Sequence, residues 1–129
     1  MKKIFLGGTC NNSKWREEIK PLLNIEYFDP IVPDWDEESY QRELFERETS
    51  NYVLYTITPK LTGVYSIAEI IEDSNKRPEK TIFVVLSEDE GTKFDKFQLD
   101  SLNAVKKMVI KNGATVFDDL ASVAEFVNK

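Results

Sequence analysis

Five short apolar runs, separated by stretches with helical patterning, constrain this chain more than any other feature. Ile4-Phe5-Leu6, Ile25 to Phe28, Tyr52 to Ile57, Thr81 to Leu86 and Thr115 to Phe117 are bounded by turn residues or charge and are too short for helices. The first, ended by Gly7-Gly8-Thr9, reads as a buried parallel strand. Ser13 reads as the cap of a helix carrying Trp15, Ile19, Leu22 and Leu23, which Pro21 should kink or end early. A second helix over roughly 37–49 opens on acidic residues that face the positive end of its dipole. A third covers about 65–75. After the fourth run, Phe94, Phe97, Leu102, Val105 and Val109 fall near helical spacing and predict a long helix over 94–111, stopped by Gly113. Asp118 or Asp119 opens a last helix with Leu120, Val123 and Val127.

Strands alternating with helices at this spacing imply parallel strands joined by right-handed crossovers. The expected fold is therefore α/β: one domain over residues 1–129, a flavodoxin-like, doubly wound five-stranded parallel sheet of order 2-1-3-4-5. A chain of 129 residues is long enough to bury one such core. Sheets of this kind take ligands outside the carboxyl ends of their strands, near the switch point between strands 1 and 3. The loops to examine are 7–13, 29–36 and 58–66, because fold alone leaves the activity open.

Composition narrows the chemistry. The net charge is −6 and no basic stripe exists, which argues against polymeric nucleic acid as a partner while leaving room for one small phosphorylated ligand. There is no histidine, so the common zinc sites and every histidine-based triad are excluded, and no metal or cofactor is expected. Acid–base work falls to carboxylates, tyrosine, lysine, Cys10 or water. The single cysteine, Cys10, forbids an internal disulfide. The apolar run after Lys2-Lys3 stops at Gly7-Gly8, short of a signal peptide, and no segment reaches membrane-spanning length. A cytoplasmic protein with no membrane partner is expected.

The loop Gly7-Gly8-Thr9-Cys10-Asn11-Asn12-Ser13 offers small residues, backbone N–H groups and a helix N-terminus, which can hold an anion or a sugar hydroxyl. It is neither a GxGxxG fingerprint nor a phosphate-binding P-loop, and a tight turn with a helix cap fits it equally well. Cys10 is a nucleophile without a histidine to activate it, or a small apolar filler. Trp15 opens the apolar stripe of the first helix, which makes it core before it is a ligand contact. Trp35 lies in a polar loop, where a large ring has less structural reason to be, and its plane suits a nucleobase. In Thr62-Gly63-Val64-Tyr65-Ser66-Ile67-Ala68-Glu69, Gly63 lets backbone approach a ligand. Ser66-x-x-Glu69 has two readings: a capping box in which Glu69 bonds back to the Ser66 backbone, or a reactive carboxylate kept ionised by the helix N-terminus.

Phe5-Leu6-Gly7-Gly8-Thr9, Asn12-Ser13-x-Trp15-Arg16, Tyr27-Phe28-Asp29-Pro30, Asp34-Trp35 and the 62–69 segment, in this order and spacing, resemble the nucleoside 2-deoxyribosyltransferase-like family. The similarity runs from the first strand into the fourth. It implies a flavodoxin-like fold and an enzyme of nucleotide metabolism, a transferase or a hydrolase (glycosidase), that cleaves or exchanges the N-glycosidic bond of 2′-deoxynucleosides or their 5′-monophosphates. By resemblance the nucleophile is Glu69, forming a glycosyl ester that a free base or water resolves. Tyr65 would position it, and a further carboxylate falls at Glu43 or Glu46. The Gly7-Gly8-Thr9 loop, Gly63 and Ser66 would hold sugar or phosphate, with Asn12, Trp15, Asp34 and Trp35 toward the base. The resemblance also implies a homo-oligomer. The chain departs from the better-studied transferases at Gly7-Gly8, where they carry a tyrosine, and at Leu61-Thr62, where they carry an aspartate that helps protonate the departing base. That second departure is the best argument for the alternative, a non-catalytic nucleotide-binding or sensing module. A small flavin-binding protein on the same fold is a third reading, disfavoured by the missing phosphate loop.

Overall fold

The computed structural model describes every residue except Asn11, so that member of the first loop lies outside the described residues. A five-stranded, all-parallel sheet forms the centre, built from β1 (Lys3–Gly8), β2 (Glu26–Phe28), β3 (Tyr52–Ile57), β4 (Thr81–Val85) and a last strand, β7 (Thr115–Phe117), in the order β2-β1-β3-β4-β7. This is the expected doubly wound order, with the fifth sheet strand numbered seventh because a two-stranded hairpin, β5 (Glu88–Asp89) and β6 (Thr92–Lys93), precedes it. Between the strands run α1 (Trp15–Ile19), α2 (Glu37–Thr49), α3 (Tyr65–Lys76), α4 (Lys96–Lys111) and α5 (Leu120–Val127).

Successive side chains of each strand point to opposite faces, so the strands feed two cores. Ile4, Leu6, Leu54, Ile82 and Val84 pack with Trp15 and Ile19 of α1 and with Leu120, Val123 and Val127 of α5. On the other face Phe5, Val53, Tyr55, Ile57, Phe83 and Val85 meet Ile70 of α3 and Leu102 and Val109 of α4. Helix α2 is different. Its fully buried side chains are Glu46 and Arg47 rather than aliphatic ones, and it docks through charge: Lys3 Nζ lies 2.7 Å from Glu46 Oε2 and Arg47 pairs with Asp73 of α3. Among the described residues no helix is long and apolar enough to cross a membrane.

Two local expectations change and one holds. Ser13 does not cap α1; Lys14 stands at that position without a side-chain cap, and the Ser13 hydroxyl donates to Asp89 of the hairpin instead. Pro21 does end α1, whose last turn tightens into a 3-10 turn over Lys20–Leu22. The long helix begins at Lys96, not at Phe94, because Asp95 and Gln98 form a capping box there. The residues ahead of it make the hairpin, whose turn has Glu90 and Gly91 at φ +50° and +87°, the backbone that a tight two-residue connection requires. Phe97 consequently lies on the outer face, 80% exposed.

Candidate active site

The carboxyl ends of β1 and β3 open onto a cavity of about 350 Å³ at the switch point of the sheet. Four segments line it: Gly7, Gly8, Cys10 and Arg16 from β1 and the start of α1; Pro30, Ile31, Val32 and Trp35 from the β2–α2 loop; Glu43 from α2; and Leu61, Thr62, Gly63, Tyr65, Ser66 and Glu69 from the β3–α3 segment. Its size falls in the lower part of the range for small-molecule sites, about 300–1,000 Å³.

Helix α3 begins at Tyr65, with Val64 at the cap position and no side-chain cap. Ser66 therefore sits inside the first turn, and the Ser66–Glu69 capping box is not formed. Glu69 falls on the second turn with its side chain turned inward, only 7% exposed, on the cavity wall. Burial there pushes its pKa up from 4.5 to about 7; the Arg47 charge opposes this, and Glu43, Asp73 and Glu72 reinforce it. The expectation that the helix terminus keeps this carboxylate fully ionised is corrected: desolvation dominates, and Glu69 is divided between both protonation states near neutrality.

Behind Glu69 lies a buried polar cluster. Arg47 Nη1 is 3.5 Å from Glu69 Oε2, while Arg47 Nε and Nη2 donate to Asp73 at 3.1 and 3.0 Å. Burial works against the Arg47 charge, but the bonds to Asp73 outweigh it and raise its pKa above the ordinary arginine value. Tyr55 and Arg77 also donate to Asp73. Burial and the Asp73 charge hold the Tyr55 phenol well above its usual pKa, so it remains a donor.

The floor is set by backbone. Arg16 reaches across the end of β1, donating to the carbonyls of Leu6 at 3.0 Å, Thr9 at 2.7 Å and Gly8 at 3.4 Å. Burial lowers its pKa to about 10, with Asp29 opposing the fall, so it stays cationic at neutral pH. Gly8 has φ +118°, and a Cβ there would stand 2.1 Å from the carbonyl oxygen of Thr56 on the neighbouring strand. Only glycine allows β1 and β3 to approach this closely. Gly63 also lines the cavity, and a Cβ there would meet nothing within 4 Å.

At the rim the Trp35 indole N–H donates to Glu43, and its ring stands edge-on to Tyr40 with centroids 5.3 Å apart. Trp35 is still 58% exposed. Burial and a hydrogen bond with Tyr40 raise the Tyr65 pKa.

Of the residues singled out from sequence, Gly7, Gly8, Trp35, Glu43, Gly63, Tyr65, Ser66 and Glu69 come together on this cavity. Of the two carboxylates on α2, Glu43 faces it, while Glu46 turns back to Lys3 and Arg42. Thr9, Asn12, Trp15 and Asp34 do not line it. Thr9 is fully buried, its hydroxyl accepting from the Thr58 N–H at 2.9 Å. Trp15 lies in the core, its indole N–H bonded to the Thr9 carbonyl at 2.6 Å. Asn12 offers its carbonyl to Lys60 at 3.0 Å, and Asp34 is exposed. Sequence reasoning missed Arg16 as a wall residue and the whole Arg47–Asp73–Tyr55 cluster. The signal for the cluster was Glu69, Glu72 and Asp73 at i, i+3 and i+4, one helix face in need of a cation.

A family model described as "Nucleoside 2-deoxyribosyltransferase like" matches residues 1–88. That stretch holds every residue lining the cavity and ends at the first residue of the hairpin. No curated protein matches the chain.

Proposed function

The chain belongs to the nucleoside 2-deoxyribosyltransferase-like family, and from that membership we propose that it cleaves or transfers the N-glycosidic bond of a 2′-deoxynucleoside or its 5′-monophosphate, with Glu69 as the nucleophile. The observation that carries this reading is a glutamate buried on the wall of a nucleoside-sized cavity, uncapped to its own helix and with its pKa near 7. Strongly perturbed carboxylates in clefts are typical of catalytic groups.

In the proposed reaction an oxygen of ionised Glu69 attacks C1′ of the bound sugar. The C1′–N bond breaks, and its electron pair leaves with the base, which takes up a proton. Water or a second base then attacks C1′ and gives up a proton, the ester bond breaks, and Glu69 is released with retention at C1′. We assign Glu43, the second carboxylate on the cavity wall, to proton exchange with the departing base. Tyr65 contributes a neutral phenol beside the sugar. Trp35 provides a plane for the base, and the backbone of Gly7, Gly8 and Gly63 the close approach to the ribose.

Free base released from a panel of deoxynucleosides and their monophosphates, with and without acceptor bases, tests this. Release that disappears in a folded Glu69→Ala variant supports it; release unchanged in that variant removes it. A second reading, a nucleotide-binding module without turnover, is favoured by Leu61 and Thr62 lining the cavity where the resemblance would place a carboxylate. Tight binding without base release in the same panel would select it.

A further inference from the structure

Glu69, Glu72 and Asp73 share one face of α3, and Arg47 of α2 touches all three. Nη1 lies 3.5 Å from Glu69 Oε2, and Nη2 lies 2.9 Å from Glu72 Oε1 and 3.0 Å from Asp73 Oδ1. Nε donates to Asp73 Oδ2 at 3.1 Å. These contacts are unequal. Asp73 takes the guanidinium in a two-bond fork, the strong geometry for arginine and carboxylate, whereas the contact to Glu69 is longer than the ~2.7–2.9 Å of a charge-assisted hydrogen bond. Asp73 is itself fully buried and is held by two further donors, Tyr55 Oη and Arg77 Nη1. It cannot turn away from Arg47 without losing them.

We propose that Arg47 is the positioning residue for Glu69, and that the Asp73 fork sets its reach: the guanidinium is fixed in the α2–α3 seam so that Nη1 steadies one oxygen of Glu69 without closing a full ion pair on it. The proposal rests on the reading of Glu69 as nucleophile, and it accounts for a buried carboxylate that keeps its proton affinity beside an arginine. The charged and titratable groups facing Glu69 are Arg47 and Glu43 from α2, Glu72, Asp73 and Tyr65 from α3, Tyr55 from β3 and Arg16 from α1. Arg16 gives its donors to the β1 carbonyls, whereas Arg47 stands at contact distance.

The test is the titration midpoint of Glu69, followed by carboxyl 13C NMR in the whole protein, in Asp73→Asn and Arg47→Lys. Asp73→Asn removes a neighbouring negative charge and frees the guanidinium to close on Glu69, so the midpoint should fall by on the order of one pH unit. Glu69 is then more fully ionised but held in a tight ion pair that weakens it as a nucleophile, so kcat should drop about tenfold or more while KM holds. Arg47→Lys keeps the charge but loses the fork, and the midpoint should rise. A purely structural role would lower stability in both variants without moving the midpoints in opposite directions. If Asp73→Asn fails to fold, the half-exposed Glu72→Gln is read in its place, with a smaller downward step expected; if Arg47→Lys fails to fold, Arg47→Gln is read in its place, with a rise expected. The titration needs no substrate. Turnover surviving in Glu69→Gln would remove the nucleophile reading and leave the titration result standing. Midpoints that stay in place, or that move the same way in Asp73→Asn and Arg47→Lys, would overturn the positioning role even if Glu69→Gln is inactive.

Discussion

Arg47 on α2 and Glu69 on α3 face each other at 3.5 Å, both side chains almost wholly buried. The contact neither neutralises Glu69 nor leaves it without a counter-charge, because Asp73 holds the larger share of the guanidinium. Helix α2, which contributes few aliphatic side chains to the core, is attached to the sheet through the same cluster. The machinery of the site and the docking of this helix are therefore one set of contacts.

Keeping Glu69 buried should cost stability in a defined pH window. Its folded pKa of about 7 lies above its ordinary 4.5, so the folded state binds the proton more tightly than the unfolded one. Stability then falls as pH rises from the lower value through the upper, and the full cost, on the order of 3 kcal/mol, is present above pH 7. Glu69→Gln removes that ionisation cost and also the Arg47 contact. It should unfold at higher urea than the wild type at pH 8, by about 1–3 kcal/mol, with the difference vanishing toward pH 4.5. Equal or lower stability at pH 8 would contradict this.

Trp35 is predicted to act on binding rather than on the chemical step. Base–aromatic stacking contributes about 1–3 kcal/mol, so Trp35→Ala should raise KM at least fivefold or so, with kcat changed little. Nucleoside binding should also quench the Trp35 fluorescence, which a Trp35→Phe variant isolates from the signal of buried Trp15. A kcat effect larger than the KM effect would place Trp35 in the reaction instead.

Gly8 and Gly63, both on the cavity wall, should separate cleanly. Gly8→Ala forces a Cβ against the Thr56 carbonyl oxygen at a positive φ and should destabilise the fold by at least about 2 kcal/mol in urea unfolding. Gly63→Ala meets open space, so stability should stay within about 0.5 kcal/mol while the added methyl enters the cavity and raises KM. Equal stability losses in both would contradict the geometry.

These contrasts also mark what was legible in the sequence. The sheet order and all five of its strands followed from apolar runs such as Tyr52 to Ile57, since a run buried on both faces leaves little choice of partner. The loops at the switch point of the sheet do contribute to the cavity lining, whereas Glu69 and Glu43 were singled out by the family resemblance and Trp35 by its place in a polar loop. Other features depend on contacts between distant segments, which periodicity does not report. The hairpin was hidden because Phe94 and Phe97 mimic a helical stripe, although Glu90-Gly91 and the Asp95–Gln98 box marked its turn and its end. Ser66-x-x-Glu69 has the spacing of a capping box, yet the cap position falls two residues earlier, at Val64, and the motif goes unused. The Arg47 fork was invisible because an arginine in the last turn of a helix is ordinarily a solvated partner of the helix dipole.

The central claim is covalent attachment of the sugar to Glu69. Acid quenching of the protein during turnover of a 2′-deoxynucleoside or its monophosphate, followed by mass analysis of its peptides, tests it most directly. The account predicts a deoxyribosyl adduct on the peptide containing Glu69, absent from Glu69→Gln, with base release lost in the same variant. Base release that continues in Glu69→Gln, or an adduct carried by another residue, would contradict it.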